Sequence, residues 1–158
     1  MFEKILVPLD GTPDAERALD AVRAVDQHFE SDVLLLLVSP SEGAMMTTLA
    51  EGFGATGSVA ANIERERTLH EVGEAYLDTV RENYGDESWE SDVRPGNPGP
   101  TIVAVADEID AGLIIMASHT RSGWSRILMG SVAEEVLRHA QRPMLVVPVH
   151  NAEGEEEE

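Results

Sequence analysis

The chain of 158 residues has the length of one compact domain, and its hydrophobic fraction of 42% is enough to form a core. It contains no cysteine, which excludes a disulfide scaffold, a thiolate metal site and a thiol nucleophile. Acidic residues outnumber basic ones by 30 to 11, a formal net charge of -19, so we expect neither nucleic acid nor an anionic membrane as a partner.

No apolar run approaches the roughly 18 residues of a membrane span, and the N-terminus lacks the organisation of a signal peptide. We therefore expect a cytoplasmic protein. The acidic residues are spread along the whole chain. This distribution favours a solvated, halophilic-type acidic surface, suited to concentrated salt that screens self-repulsion. An interaction tail or a cation-binding surface is the alternative.

Strand-like and helix-like patterns alternate along the chain, which is typical of parallel βαβ units. An apolar strand is predicted over 4–10. A helix follows in 11–29, with Thr12 as its N-cap and Pro13 at its first helical position. Its inward face comprises the apolar residues at helical spacing, Ala15, Ala18, Leu19, Val22, Val25 and Phe29. The continuous apolar run at 32–38 predicts a strand buried on both faces.

Residues 39–60 interrupt this alternation, being rich in Gly, Ser and Thr, and predict a functional or mobile loop. Met45, Met46 and Leu49 fit one short helical turn within it. The elements expected after this loop are a helix at 60–84, a polar strand at 88–96, a short helix at 97–111, a strand at 112–118, a helix at 131–140 and a last strand at 143–149.

These elements predict an α/β fold: one doubly wound five-stranded parallel sheet, ordered 3-2-1-4-5, with about four helices. The domain spans 1–150, and 151–158 form an acidic disordered tail. In such a sheet, ligands bind at the carboxyl ends of the strands where the strand order reverses, here between strands one and four. The segments at that point are 8–12 and 118–131.

Ser131 and Glu134 form a capping box, S-x-x-E, at the start of the fourth helix. The helix needs such a cap in any case. The functional alternative is that Gly130 leaves space for close backbone approach and that free N–H groups there attract phosphate. Asp10 likewise has two interpretations. Its carboxylate either caps a turn before Gly11 or accepts hydrogen bonds from a ribose or base.

Three blocks resemble the universal stress protein family: "KILVPLDGTPDAERAL", "VRPGNP" and "LIIMASHTRSGWSRILMGSVAEEVLRHAQRPMLVVP". The similarity runs from Lys4 to Val149. It implies the same five-stranded fold and a homodimer that pairs through the last strand, Met144 to Val149. It also implies adenine-nucleotide binding through a Gly-two-Gly-nine-Gly-Ser/Thr spacing after strand four, in the ATP-binding branch of the family.

Carried over by position, the resemblance assigns nucleotide binding to Pro8, Leu9, Asp10, Val38, Gly96, Ala117, His119, Thr120, Arg121, Gly130, Ser131 and Val132. Ala117 and Thr120 stand where the ATP-binding pattern has its first two glycines. Thr120 is the larger change, because a β-branched residue strongly disfavours a positive φ. If the loop needs no left-handed turn there, its N–H and hydroxyl can donate to a phosphate. Arg121 and Arg126 either supply positive charge to the site or simply face solvent.

We therefore expect a dimeric regulatory module that binds ATP, or AMP or ADP, with Mg²⁺ or Mn²⁺ arriving on the phosphates. The alternatives are a nucleotide-free dimeric interaction module and a slow ATP hydrolase. The chain has no P-loop motif, no G-x-G-x-x-G after strand one and no G-x-S-x-G elbow. His119 beside Ser118, Ser122 and Asp10 permits a catalytic triad on paper, but we assign no catalytic residue and no metal ligand. Trp124 packs either under its own loop or at the dimer interface.

Overall fold

The computed structural model describes residues 2–39, 59–84, 87–123 and 126–150. The predicted turn at Met45 to Leu49, Trp124 and the acidic tail lie outside these ranges. The elements in chain order are β1 (Lys4–Leu9), α1 (Pro13–Glu16), α2 (Leu19–Phe29), β2 (Asp32–Ser39), α3 (Val59–Tyr84), β3 (Glu90–Pro95), α4 (Pro98–Glu108), β4 (Leu113–Gly123), β5 (Arg126–Leu128), α5 (Ser131–His139) and β6 (Met144–His150).

Five parallel strands form the sheet in the order β3-β2-β1-β4-β6. This confirms the predicted order 3-2-1-4-5, since β6 is the fifth strand of the prediction. The reversal of strand order falls between β1 and β4, as expected. Among the described helices, none combines the length and the apolar character needed to cross a membrane.

Side chains of each strand alternate between two separate apolar cores, which is why the central strands read as continuous apolar runs. In β1, Ile5, Val7 and Leu9 pack with α2 and α3, against Leu19 and Leu77. The other core contains Leu6 of β1 and the apolar face shared by α4 and α5, comprising Ile102, Val105, Ala133 and Val136. The sheet is therefore covered on both faces, as a doubly wound fold requires.

The predicted first helix is two helices, separated by a turn at Arg17 and Ala18. Thr12 caps α1 as predicted, its hydroxyl accepting a hydrogen bond from Ala15 N at 3.3 Å, with Pro13 in the first turn. The expected inward position of Phe29 is wrong, since its side chain is 51% exposed. Phe29 is the last residue of α2, beside a left-handed Glu30, and its ring packs edge-on against Phe2.

The strand predicted at 112–118 is longer in the structure, and the loop expected after it contains a hairpin. Strand β4 continues to Gly123, and residues Arg121 to Gly123 pair antiparallel with β5. The parallel pairing of β4 with β6 extends as far as Thr120, which lies opposite His150. The remaining predicted helices and strands are present, with small shifts at their ends.

Three hydrogen bonds tie the helices on one face to each other and to the adjacent loops. The indole N–H of Trp89, which is 1% exposed, donates to Asp26 Oδ2 at 3.0 Å. The other Asp26 oxygen accepts from Ser31 N at 3.1 Å. The phenol of Tyr76 on α3 donates to Glu16 Oε1 at 3.0 Å, and burial together with this bond raises the pKa of Tyr76 above its usual value of 10.0.

Candidate functional site

A cleft opens where β1 and β4 separate. These neighbouring strands are paired only near their amino ends, at Ile5 with Leu113 and at Leu6 with Ile114, in the described sheet. On its other side β1 stays paired with β2 as far as Leu9. Beyond Leu6 the two strands diverge, and their carboxyl ends form opposite walls of a space at the point where strand order reverses.

The cleft has a volume of about 320 Å³. Of the residues that the resemblance assigns to nucleotide binding, those that line the cleft are Pro8, Leu9, Asp10, Val38, Ala117, His119, Gly130, Ser131 and Val132. The lining residues that the sequence assignment missed are Ala15, Pro98, Ile102, Met116, Ser118 and Ala133. Met116, Ser118 and Ala133 are chain neighbours of assigned residues. Ala15, Pro98 and Ile102 lie on two helices that carry no assigned residue, and nothing local in the sequence shows that they reach the cleft.

Gly96 does not line this cleft. Its φ of 151° and its packing against Thr101 account for the glycine, because a side chain there would collide with the Thr101 hydroxyl. Thr120 and Arg121 belong to β4 by their backbone, and their side chains lie outside the described part of the structure. Since strand backbone is extended, Thr120 meets no left-handed turn, and a β-branched residue suits this position.

Asp10 follows β1 directly and forms a turn with Thr12. Its Oδ1 accepts hydrogen bonds from the Thr12 N at 2.9 Å and from the Thr12 hydroxyl at 2.6 Å. Gly11 between them has a φ of 82°, a left-handed conformation that glycine adopts without strain. The turn-forming interpretation of Asp10 therefore holds for one carboxylate oxygen, and the side chain also borders the cleft.

The N-terminus of α5 faces the cleft without a side-chain cap. The prediction that Ser131 caps this helix is wrong: the N-cap is Gly130, and Ser131 is the first helical residue. Glu134 forms an ion pair with Arg138 one turn along the helix. The first intrahelical bond runs from Glu134 N to Gly130 O at 2.9 Å. The N–H groups of residues 131–133 therefore precede the helical bonding pattern and can donate to an anion.

His119 and Ser118 do not form a nucleophile–base pair. Alternation along β4 places Met116 and Ser118 toward α5, whereas Ala117 packs in the core on the opposite face. His119 lies on that opposite side, where its Nε2 is 3.6 Å from Asp14 Oδ2. The Ser118 hydroxyl oxygen instead accepts a hydrogen bond from Gly130 N. The triad considered from the sequence is therefore not assembled around Ser118.

The family model described as "Universal stress protein family" matches residues 1–148, nearly the whole chain. The chain belongs to the universal stress protein family. Universal stress protein MJ0577 of Methanocaldococcus jannaschii is 28% identical over 159 residues, covering 96% of this chain and 98% of the relative. Its solved structure superimposes with a TM-score of 0.73, covering 96% and 99% of the two chains.

A second relative from the same organism, Universal stress protein MJ0531, is 30% identical and covers 93% of this universal stress protein and 82% of its own length. The fold is also shared with a solved universal stress protein from Archaeoglobus fulgidus in complex with dAMP. That protein is 22% identical, with a TM-score of 0.53 and coverage of 92% and 98%. At 22% identity, this similarity shows a shared fold alone.

Proposed function

We propose that this universal stress protein binds an adenine nucleotide, ATP, ADP or AMP, in the cleft between β1 and β4, and acts as a cytoplasmic regulatory module of a stress response. One observation carries the proposal. A mainly apolar space at the reversal point of the sheet ends at the uncapped N-terminus of α5. Such a space suits a ligand with a flat apolar part at one end and an anionic group at the other.

The lining residues divide into parts that suit the base, the ribose and the phosphate. Val38, Pro98 and Ile102 provide apolar surface for the base. The second carboxylate oxygen of Asp10, which Thr12 leaves free, accepts from a ribose hydroxyl. The amides at the start of α5 donate to a phosphate, supported by the partial positive charge of the helix N-terminus.

Family membership and the dAMP complex of a protein with the same fold support an adenine nucleotide. The described residues contain no group of three or more His, Asp or Glu side chains placed to hold a metal ion. A Mg²⁺ or Mn²⁺ ion at this site would therefore be held mainly by the phosphates of the ligand and by water.

Nucleotide binding is tested by denaturing the purified protein, identifying any released nucleotide, and then titrating the emptied protein with AMP, ADP and ATP by calorimetry in molar potassium chloride. We expect a stoichiometric amount of adenine nucleotide or saturable heat. A protein that is empty as isolated and produces no heat would refute nucleotide binding, and would favour the nucleotide-free interaction module.

Blocking the cleft gives a sharper test of the same site. Ala15 lies on α1 and lines the cleft, so Ala15→Leu narrows the space for a ligand. Ala104→Leu is the matched control, because Ala104 is an exposed helical alanine away from the cleft. We expect Ala15→Leu to weaken AMP binding, with little change in melting temperature, and Ala104→Leu to bind as the wild type does. Equal affinities in the two variants would place the ligand elsewhere.

Thr120→Gly tests whether the loss of the family glycine impairs the site. Because Thr120 has strand geometry opposite His150, glycine relieves no strain and adds backbone freedom. We expect no gain in nucleotide affinity. Tighter nucleotide binding by Thr120→Gly would show that the threonine obstructs binding of the phosphates.

The homodimer is proposed to form through β6. This strand pairs with β4 and with no other strand in the described sheet, so one edge of it is free. Leu145 on β6 is 39% exposed. We expect light scattering to give a dimer for the wild type and a monomer for Leu145→Glu. Val72→Glu, at an exposed site on α3, is the control and is expected to remain dimeric.

A further inference from the structure

Helix α1 carries a contact that joins the two walls of the cleft at its solvent-facing rim. The helix follows β1 through the Asp10 turn, is capped by Thr12, and contributes Ala15 to the lining of the cleft. Asp14 of this helix approaches β4, where its Oδ2 lies 3.6 Å from Nε2 of His119, which also lines the cleft. The side chains are 43% exposed for Asp14 and 52% exposed for His119. This contact, here termed the rim pair, therefore lies between solvent and the interior of the cleft.

The rim pair connects two strands that are not paired with each other at this end of the sheet. Strands β1 and β4 form no backbone pair beyond Leu6 and Ile114. Among the ion pairs of the described residues, the rim pair alone joins β4 to the segment that follows β1. The other Asp14 oxygen, Oδ1, is 3.8 Å from Nε of Arg17, three residues along the chain. Asp14 therefore has one contact within its own segment and one across the cleft.

We propose that the rim pair is a gate for the ligand of the cleft, a contact that separates before a nucleotide enters or leaves. This inference rests on the proposed nucleotide binding and concerns the rate of exchange rather than affinity. Exposed ion pairs are weak, so the gate opens spontaneously and slows exchange by a small factor. Because the pair joins two groups of the protein itself, breaking it accelerates entry and release alike.

The strength of the rim pair depends on pH. The imidazole of His119 is charged only when it is protonated, and histidine side chains change charge between about pH 5 and 8. Among the described residues, the charged groups that face it are Asp14 and, behind it, Arg17, with Asp10 lining the same cleft. Val149, opposite His119 on β6, is apolar. Carboxylate and guanidinium groups ordinarily keep their charge over this range, so the gate is held more firmly at acidic pH.

Asp14→Asn tests the gate, because it keeps the size of the side chain and removes its charge. The association and dissociation rate constants of isotope-labelled AMP are measured by rapid mixing and filtration in molar potassium chloride, at about pH 5.5. We expect both constants to rise by about two- to fivefold, as for the loss of an exposed ion pair, with the dissociation constant nearly unchanged. His119→Gln should have the same effect, and the double variant should exchange AMP no faster than either single variant.

Two control variants separate the gate from other effects of Asp14. Arg17→Gln breaks only the contact that Asp14 makes within its own segment. Asp20→Asn removes an equal charge at an exposed position on α2. Both should exchange AMP at wild-type rates. At about pH 8 the ratio of the Asp14→Asn rates to the wild-type rates should fall toward one. The phosphate of AMP titrates in the same range, but it does so for both proteins and cancels in this ratio.

The outcomes distinguish the gate from the function on which it rests. A wild type that binds no AMP overturns the proposed function itself. A wild type that binds AMP, with Asp14→Asn exchanging it at the wild-type rates or with a rate ratio that does not depend on pH, overturns the gate alone. Faster dissociation without faster association would show that the pair stabilises the bound state. Slower dissociation would show that Asp14 acts by charge repulsion, and either result refutes the gate.

Discussion

Replacing Gly96 by alanine tests whether this glycine serves the fold or the ligand. Its φ of 151° is a conformation that side-chain-bearing residues rarely adopt, and its N–H is held by Ser39 O at 2.9 Å. The backbone strain costs about 1–3 kcal/mol. A Cβ at this position would also overlap the Thr101 hydroxyl, which adds about 1–3 kcal/mol. For a domain of this size, the sum lowers the melting temperature by roughly 5–20 °C.

The assay is thermal unfolding in molar potassium chloride, followed by circular dichroism. In the double variant Gly96→Ala with Thr101→Ala the collision is absent, so part of the loss is recovered and the strain remains. Gly99→Ala is the control, because its Cβ would meet the movable end of the Glu135 side chain at a helical position. A melting temperature of Gly96→Ala equal to that of the wild type would refute this explanation of Gly96.

Three further predictions concern the whole fold. Trp89→Phe removes the indole donor to Asp26, so we expect the unfolding free energy in urea to fall by about 2 kcal/mol or more, and an unchanged value would contradict the role of this bond. Because the pKa of Tyr76 is raised in the folded protein, this group contributes stability below about pH 10, and the contribution is lost as the pH rises further. The difference in unfolding free energy between the wild type and Tyr76→Phe should therefore become smaller above about pH 10. A difference that stays constant would refute this role of Tyr76. With a net charge of -19, the melting temperature should rise from dilute buffer to molar potassium chloride, and a salt-independent value would argue against self-repulsion.

The arrangement of the sheet was predictable because it depends on a strong, repeated pattern. Runs such as Asp32 to Val38 are apolar at nearly every position, and only a strand covered on both faces explains this in an alternating α/β chain. The location of the cleft then follows from strand order alone. Most residues assigned to the site from the resemblance line it for this reason.

The structural features that the sequence predicted wrongly depend on contacts between residues far apart in the chain. The sequence S-x-x-E reads as a capping box whichever residue begins the helix. What holds Gly130 at the N-cap is the hydroxyl of Ser118, which lies on another element. The strand extension beyond Ser118 depends on β6, whose residues come much later in the chain. The β5 strand, Arg126–Leu128, is too short to show a periodic pattern. Phe29 has the spacing of an inward residue, but α2 ends there and its ring meets Phe2 instead.

The limited pairing between β1 and β4 has a mechanical consequence. Each of these strands keeps a complete hydrogen-bonded neighbour on its other side, β2 for β1 and β6 for β4. The gap between their carboxyl ends can therefore widen or narrow without breaking any hydrogen bond of the sheet. Such a change of width would involve the residues beyond Leu6 and Ile114, the last pair between the two strands. The width of this opening is therefore the dimension of the described sheet that can change with the least loss of strand pairing.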